Sequence, residues 1–354
     1  MTIFVLYISF LYLLEMVLSR LRLNWKKTFV VCSSIFLFVI IGFRDYQVGV
    51  DTYGYMLSFN EFSNLYSLSW KSILEIYSVN KEPLYVLFNL IISAFTDDFT
   101  VVLCGYALLY TIAVGVLVYR YSANPRWSFI VLLSLGFLYF AMAGIRQTMA
   151  MSILLFSYKY IKERKPLPFL LLVFLAYFFH NTSVVFLLAY PIAALKVNWK
   201  HLAALAAVYI VVFFFNGFVR FILFKLLNWE RLSTYENRTV TLSFSGAVIQ
   251  IAIFAFAYFF RKDAENNNRD NQILLNLSFL GCAFQLLSSV IAEFFRISMY
   301  FSIFNILMIP NMAYAIRVKS NKKIVYLVIP MLLLTYYFFF SGPDPSIVPY
   351  YFVS

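Results

Sequence analysis

The chain has 354 residues, of which 63% are hydrophobic and only 12% charged, against the roughly 25% charged residues of a soluble domain. That balance excludes a soluble enzyme and implies an integral membrane protein. The formal net charge of +12 does not point to nucleic acid, because the basic residues fall in short connectors between apolar runs, as in loops retained on the cytoplasmic side.

Apolar runs recur from residue 2 to residue 340, and a hydrocarbon core of ~30 Å takes about 20 helical residues to cross. Unpaired backbone is not tolerated in lipid, and the runs lack the alternation of barrel strands. The expected fold is therefore all-α: a polytopic transmembrane helical bundle forming one integral membrane domain over 1–354. The first run, 3–18, resembles a signal peptide in length, but no basic residue precedes it and no small-residue cleavage site follows, so it reads as a retained helix. Basic connectors near 20–27, 120–126, 159–165, 196–200, 261–262 and 317–323, all assigned to the cytoplasm, predict about 12 spans with both termini outside. The predicted helices are 2–18, 28–43, 100–118, 127–143, 147–161, 166–179, 183–195, 201–217, 243–260, 272–291, 297–316 and 324–340.

After the second helix, 44–99 is expected to be a periplasmic loop opening with "GFRDYQVGVDTYGY". Arg44, Asp45, Asp51 and Glu82 put charge at a membrane exit, and Gly42, Gly49 and Gly54 favour a tightly turned loop that aims side chains. Within it, 83–95 is apolar but short, and is read as a short or re-entrant helix on the outer side. Next comes "AMAGIRQTMAMSILLF", where Arg146 and Gln147 stand between two apolar runs with no other charge nearby. An arginine in lipid costs at least ~2.5–3.5 kcal/mol, so Arg146 either snorkels at a helix end or faces a cavity as an anion ligand. Its planar fork suits two phosphate oxygens, and Gln147 offers an amide donor.

The runs 166–179 and 183–195 are joined by "HNTS", which places His180 at a hairpin tip sunk below the outer surface. A lone histidine beside aromatic residues is often a packing residue; facing a cavity, it titrates near neutral pH and could take a proton. A second periplasmic loop is expected over 216–242. Beyond it, "SSVIAEFFRISMYF" carries Glu293 and Arg296 three apart, either an ion pair tying a helix end or a carboxylate and a guanidinium offered to an outer cavity. Tyr46, Tyr53, Tyr55 and Tyr235 fall in outer segments where rings could stack on sugars, although interfacial tyrosines need no ligand to explain them. Cys32, Cys104 and Cys282 lie singly in apolar runs and are read as small core residues, so neither they nor a single outer histidine support a metal site. No Walker loop, nucleophilic serine elbow or dinucleotide fingerprint is present.

In order and spacing, "GFRDYQVGVDTYGY", "EPLYVLFN", "GIRQTMAMSILLFSYKYI", "LAYFFHNTSVVFLLAYPI", "FRISMYFSIFNILMIP" and "VPYYF" resemble the EpsG-like family, grouped with the Wzy-type O-antigen and exopolysaccharide polymerases. The resemblance implies a GT-C-like bundle in the bacterial inner membrane that joins oligosaccharide repeat units, carried as donor and acceptor on undecaprenyl diphosphate, at the periplasmic face. It implies no cofactor and no metal, membrane lipid and the two lipid-linked sugars as partners, and a separate protein regulating chain length. On that reading Arg146 and Arg296 hold the diphosphate with Arg44 as a third candidate, and Gln147, Tyr55 and Glu82 also contact substrate. Asp51 or His180, with Glu293 next, takes the acceptor proton. The competing readings are a lipid-linked sugar flippase, a membrane acyltransferase acting on surface polysaccharide, and a scaffold without catalysis.

Overall fold

The computed structural model describes residues 2–21, 24–65, 69–79, 81–227, 245–291, 293–341 and 346–353. Tyr235, proposed above to stack on sugars, and most of the 216–242 loop lie outside them. The described chain is all-α, with no strand among the described residues beyond one isolated antiparallel bridge between Arg44 and Phe352.

Helices α1 (Thr2–Leu18) and α2 (Trp25–Gly42) are followed by three shorter ones, α3 (Thr52–Leu65), α4 (Trp70–Val79) and α5 (Pro83–Ser93). The long α6 (Phe99–Tyr121) opens on Asp98, whose side chain accepts from Thr100 N at 2.8 Å and satisfies one of the orphan donors of a helix start. Then come α7 (Pro125–Ser134), α8 (Phe137–Ala143), α9 (Ile145–Lys162) and α10 (Pro166–Phe179). α7 and α10 begin on proline, which fits a helix start because its missing N–H would be unpaired there anyway. α6 packs between α2 and α9, and α10 lies along α9. That centre is dry and aromatic: Tyr106, Tyr110, Tyr158 and Phe129 are all but fully buried.

A 3₁₀ helix (Asn181–Leu188) runs into the short α11 (Ala189–Ile192), and α12 (Trp199–Phe214) and α13 (Asn216–Leu227) follow. The remaining helices are α14 (Ser245–Phe259), α15 (Arg261–Asn267), α16 (Asn271–Leu287), α17 (Phe294–Ser302), α18 (Asn305–Ala315) and α19 (Lys319–Tyr336).

The expected twelve crossings are not what the helices show. Three helical segments are long and apolar enough to span a membrane (25–42, 99–121 and 319–339), or up to six if each bent pair counts as one span. One of the bends has a clear local cause. The run expected as one helix over 127–143 breaks between α7 and α8 by 57°, where Gly136 sits at φ +77°, a conformation that costs an L side chain strain. α12 and α13 meet at 99°, and α17 and α18 at 43°, with Pro310 inside α18. The hairpin expected from 166–179 and 183–195 starts as a regular helix but continues as the 3₁₀ segment.

The opening motif folds into a pinned loop. Arg44 is fully buried, donating from Nε to Val48 O at 3.0 Å, from Nη1 to Ile41 O at 2.5 Å and to Tyr106 Oη, and from Nη2 to Met142 O at 2.8 Å and Thr52 Oγ1 at 3.3 Å. The chain end straps over the same loop, with Gly49 N donating to Ser346 O at 2.8 Å and Val353 N to Phe43 O at 3.0 Å. Gly49 has φ +107°, and a Cβ there would stand 2.5 Å from Met142 O and 2.6 Å from Thr52 Oγ1. Backbone strain of this kind costs about 1–3 kcal/mol before the clash is counted. Gly49→Ala is therefore expected to lower the yield of folded protein and its melting temperature in detergent by several degrees. An unchanged melting temperature would refute the close fit.

Candidate active site

Four helix starts meet at one end of the bundle, and each brings a charged residue: Asp51 just before α3, Glu82 as the cap of α5, Arg146 at the second position of α9, and Arg296 at the third of α17. All four line a cavity of about 590 Å³, together with Tyr55, Tyr85, Lys81 and Asn181. The basic end of α9, with Lys159 and Lys162, lies roughly 24 Å away along the helix, so cavity and basic connectors occupy opposite ends. A helix N-terminus carries partial positive charge, so these starts add to the two arginines in favouring an anion.

Glu82 is the hub. Its side chain is 8% exposed; Oε2 accepts from Arg146 Nη1 at 2.5 Å, and Oε1 accepts from His180 Nδ1 at 2.7 Å and from Asn181 N at 3.3 Å. Burial alone would raise this carboxyl, but the His180 bond and charge, the Arg146 charge and the Asn181 N–H outweigh it and hold it below the usual range. A carboxylate can only accept, so a neutral His180 keeps its proton on Nδ1 and leaves the Nε2 lone pair free.

The second pair is looser. Arg296 Nη2 stands 3.5 Å from Asp51 Oδ2, and these side chains are 39% and 40% exposed. Arg146 lies with Cζ 5.6 Å from the Tyr55 ring centre and 5.9 Å from that of Tyr85. Its Nε and the Tyr85 hydroxyl are buried without a hydrogen-bond partner. Both residues line the cavity, but these two atoms lie beneath its surface.

Several expected site residues are placed elsewhere. Arg44 does not line the cavity, and its donors are engaged by the carbonyls and hydroxyls that pin the loop, so it is reassigned from ligand to anchor. Gln147 is buried, donating from Nε2 to Arg296 O at 2.6 Å; it positions the backbone of Arg296 and does not line the cavity. Glu293 makes no ion pair with Arg296: it occupies the cap position of α17 without a capping bond, and Arg296 reaches to Asp51 instead. Tyr46 and Tyr53 are exposed, 6.1 Å apart, and do not line the cavity, whereas Tyr55 does. Among the described residues no group of three or more His, Cys, Asp or Glu is placed to hold a metal ion.

Tyr85, Lys81 and Asn181 were missed from sequence. Tyr85 stands three residues after Glu82, but Glu82 is a cap with non-helical backbone angles (φ −132°, ψ 63°), so the spacing alone does not place the two on one face.

This cavity is built from the quoted motifs "VGVDT", "EPLYVLFN", "GIRQ", "FHNTS" and "FRISM", and a family model described as EpsG family matches residues 27–352. The chain belongs to the EpsG family. No curated protein and no solved structure matches it. Within this EpsG-family chain the matched region takes in every residue of the cavity wall.

Proposed function

We propose that this EpsG-family membrane protein is a polysaccharide polymerase of the Wzy type, joining oligosaccharide repeat units carried on undecaprenyl diphosphate at the periplasmic face of the bacterial inner membrane. The observation that carries this reading is the cavity lined by Arg146, Arg296 and Glu82, with His180 bonded to Glu82 behind the lining. The charge of a diphosphate suits the arginines and the helix starts, and its oxygens can accept from a guanidinium.

The acceptor hydroxyl oxygen attacks the anomeric carbon of the donor; the bond from that carbon to the phosphate oxygen breaks, and its electron pair leaves on the diphosphate. Arg146 and Arg296 stabilise the charge that grows on the leaving group. His180 Nε2 takes the proton from the attacking hydroxyl, and Glu82 fixes the tautomer that makes this possible. Asp51 holds Arg296 at the cavity mouth until the diphosphate displaces it. A single direct displacement inverts the anomeric configuration.

The decisive experiment is an in vitro reaction of the purified protein with a defined lipid-linked repeat unit, followed by size and linkage analysis. Formation of multi-repeat chains with release of undecaprenyl diphosphate is expected; product limited to transported, unjoined repeat units would favour the flippase and refute the polymerase. Sidedness has its own test. In a background lacking Cys32, Cys104 and Cys282, Asp51→Cys and His180→Cys are expected to react with an impermeant maleimide from the periplasmic side. Labelling only from the cytoplasm would invert the topology.

A further inference from the structure

Far from this site, a cleft of about 800 Å³ separates α12 from α14, with Cys282 of α16 in its floor. Leu202, Leu205 and Ile210 line one wall, and Ile251, Phe254 and Phe259 the other. From Leu202 to Ile210 the wall runs for roughly 12 Å along α12. The polar groups of the lining are spent on the protein: Tyr209 Oη donates to Cys282 O at 3.2 Å, and Cys282 Sγ to Gln250 O at 3.1 Å.

Charge enters the lining only through Arg261 and Lys262, which follow the end of α14 in a basic connector. Arg261 stacks with Cζ 3.7 Å from the Tyr258 ring centre and donates from Nη1 to Tyr258 O at 2.7 Å. That fixes the plane of the guanidinium while leaving its charge without a carboxylate. Of the two nearby acids, Asp263 is engaged, its Oδ2 accepting from Arg317 N at 3.3 Å and its Oδ1 lying 3.9 Å from Arg317 Nε, and Glu265 is exposed one turn on without an ion pair to either cation. Among the described residues neither Arg261 nor Lys262 has an ion-pair partner.

We propose that the cleft is a binding site for an anionic phospholipid of the cytoplasmic leaflet, with one acyl chain between α12 and α14 and the phosphate between Arg261 and Lys262. Charge complementarity selects the occupant. An apolar slot alone would accept any acyl chain, but two unpaired cations at its mouth favour a head group of net negative charge, as in other basic pockets between membrane helices on the cytoplasmic side. Each buried methylene adds to the affinity, so the slot and the cations act together. The site lies at the basic-connector end of the bundle, away from the proposed reaction cavity, and its test needs no activity.

The full-length protein, stripped of native lipid and placed in phosphatidylcholine nanodiscs, would be titrated with phosphatidylglycerol and followed by native mass spectrometry and thermal unfolding. One tightly retained phosphatidylglycerol and a raised melting temperature are expected. Arg261→Gln with Lys262→Gln should weaken retention roughly 30-fold, on the usual worth of basic residues near anionic lipid. Ala206→Trp, which fills the slot and keeps both cations, should expel the lipid as well, and covers the case in which the double variant folds poorly. Unchanged retention in Ala206→Trp, equal retention of phosphatidylcholine, or occupancy by a lipid-linked diphosphate or a second copy of the chain would each overturn the proposal.

Discussion

Arg146→Ala is expected to abolish long-chain polysaccharide while the protein still inserts at a normal level. Arg146 gives the fold less than it offers the cavity. Towards the fold it donates one bond to Glu82, and Glu82 keeps His180 and the Asn181 N–H when the guanidinium is removed, so no bare buried carboxylate is created. Towards the cavity it offers a permanent charge at a helix start, and losing such a stabiliser of developing negative charge costs about 10²–10³ in kcat. Arg146→Lys keeps the charge without the fork and should recover only part of the rate. The measurement is the ladder of polymer lengths in cells, paired with single-turnover rates on a defined lipid-linked unit. Full-length polymer at the normal rate in Arg146→Ala would remove the diphosphate-ligand role.

Arg44 makes the opposite prediction from similar sequence evidence. Both arginines stand at membrane exits beside glycines, and the sequence offers no way to tell an anchor from a ligand. The acceptors decide it. Met142 O, which Arg44 and Thr52 both reach, lies 98 residues along the chain from Arg44 and carries no sequence signature, because a backbone carbonyl is present at every residue. Arg44→Lys is thus expected to lower thermal stability and yield with little change in specific activity per folded molecule. A specific loss of activity at full stability would return Arg44 to the ligand set.

The convergence of Asp51, Glu82, Arg146, His180 and Arg296 was legible because charge is expensive in an apolar chain. A bundle with so few charges has to gather them, and each isolated one therefore points toward a shared polar space. Tyr85 was hidden for the converse reason: in a chain with 27 tyrosines, one more at a membrane edge carries no information until its hydroxyl is seen to lack a partner. Glu293 has helical backbone angles at the cap of α17, so the three-residue spacing does put it on the side of Arg296; the guanidinium nonetheless reaches to Asp51, a partner 245 residues away that spacing does not reveal. The expected twelve spans are not shown, for a different reason. Hydropathy measures how apolar a run is and says little about whether it stays straight, so the breaks at Gly136, at Phe215 and between α17 and α18 split segments that composition alone joins.

Glu82 and His180 are expected to behave as one device. His180→Ala removes the group that accepts the proton and should lower kcat by 10²–10⁴. Glu82→Gln should come close to that loss although it keeps size and burial, because its amide can donate to Nδ1 and drive the imidazole proton onto Nε2, where the lone pair is needed. A purely structural role predicts otherwise, since Glu82→Gln would then lose stability with little change in the turnover of folded protein. Glu82→Asp, which keeps the acceptor charge on a shorter arm, should restore part of kcat. Thermal stability against pH separates the two contributions. The folded Glu82 carboxyl is held below its unfolded value, so its stabilisation is fully present above the ordinary carboxyl pKa of ~4.3 and is lost as pH falls through the depressed folded value. Wild type should exceed Glu82→Gln in melting temperature near pH 7, and the gap should close under acid. If the gap stayed constant with pH, the charged hub would be the wrong description of Glu82. If the gap closed while Glu82→Gln turned over normally, the carboxylate would hold the fold together without orienting His180.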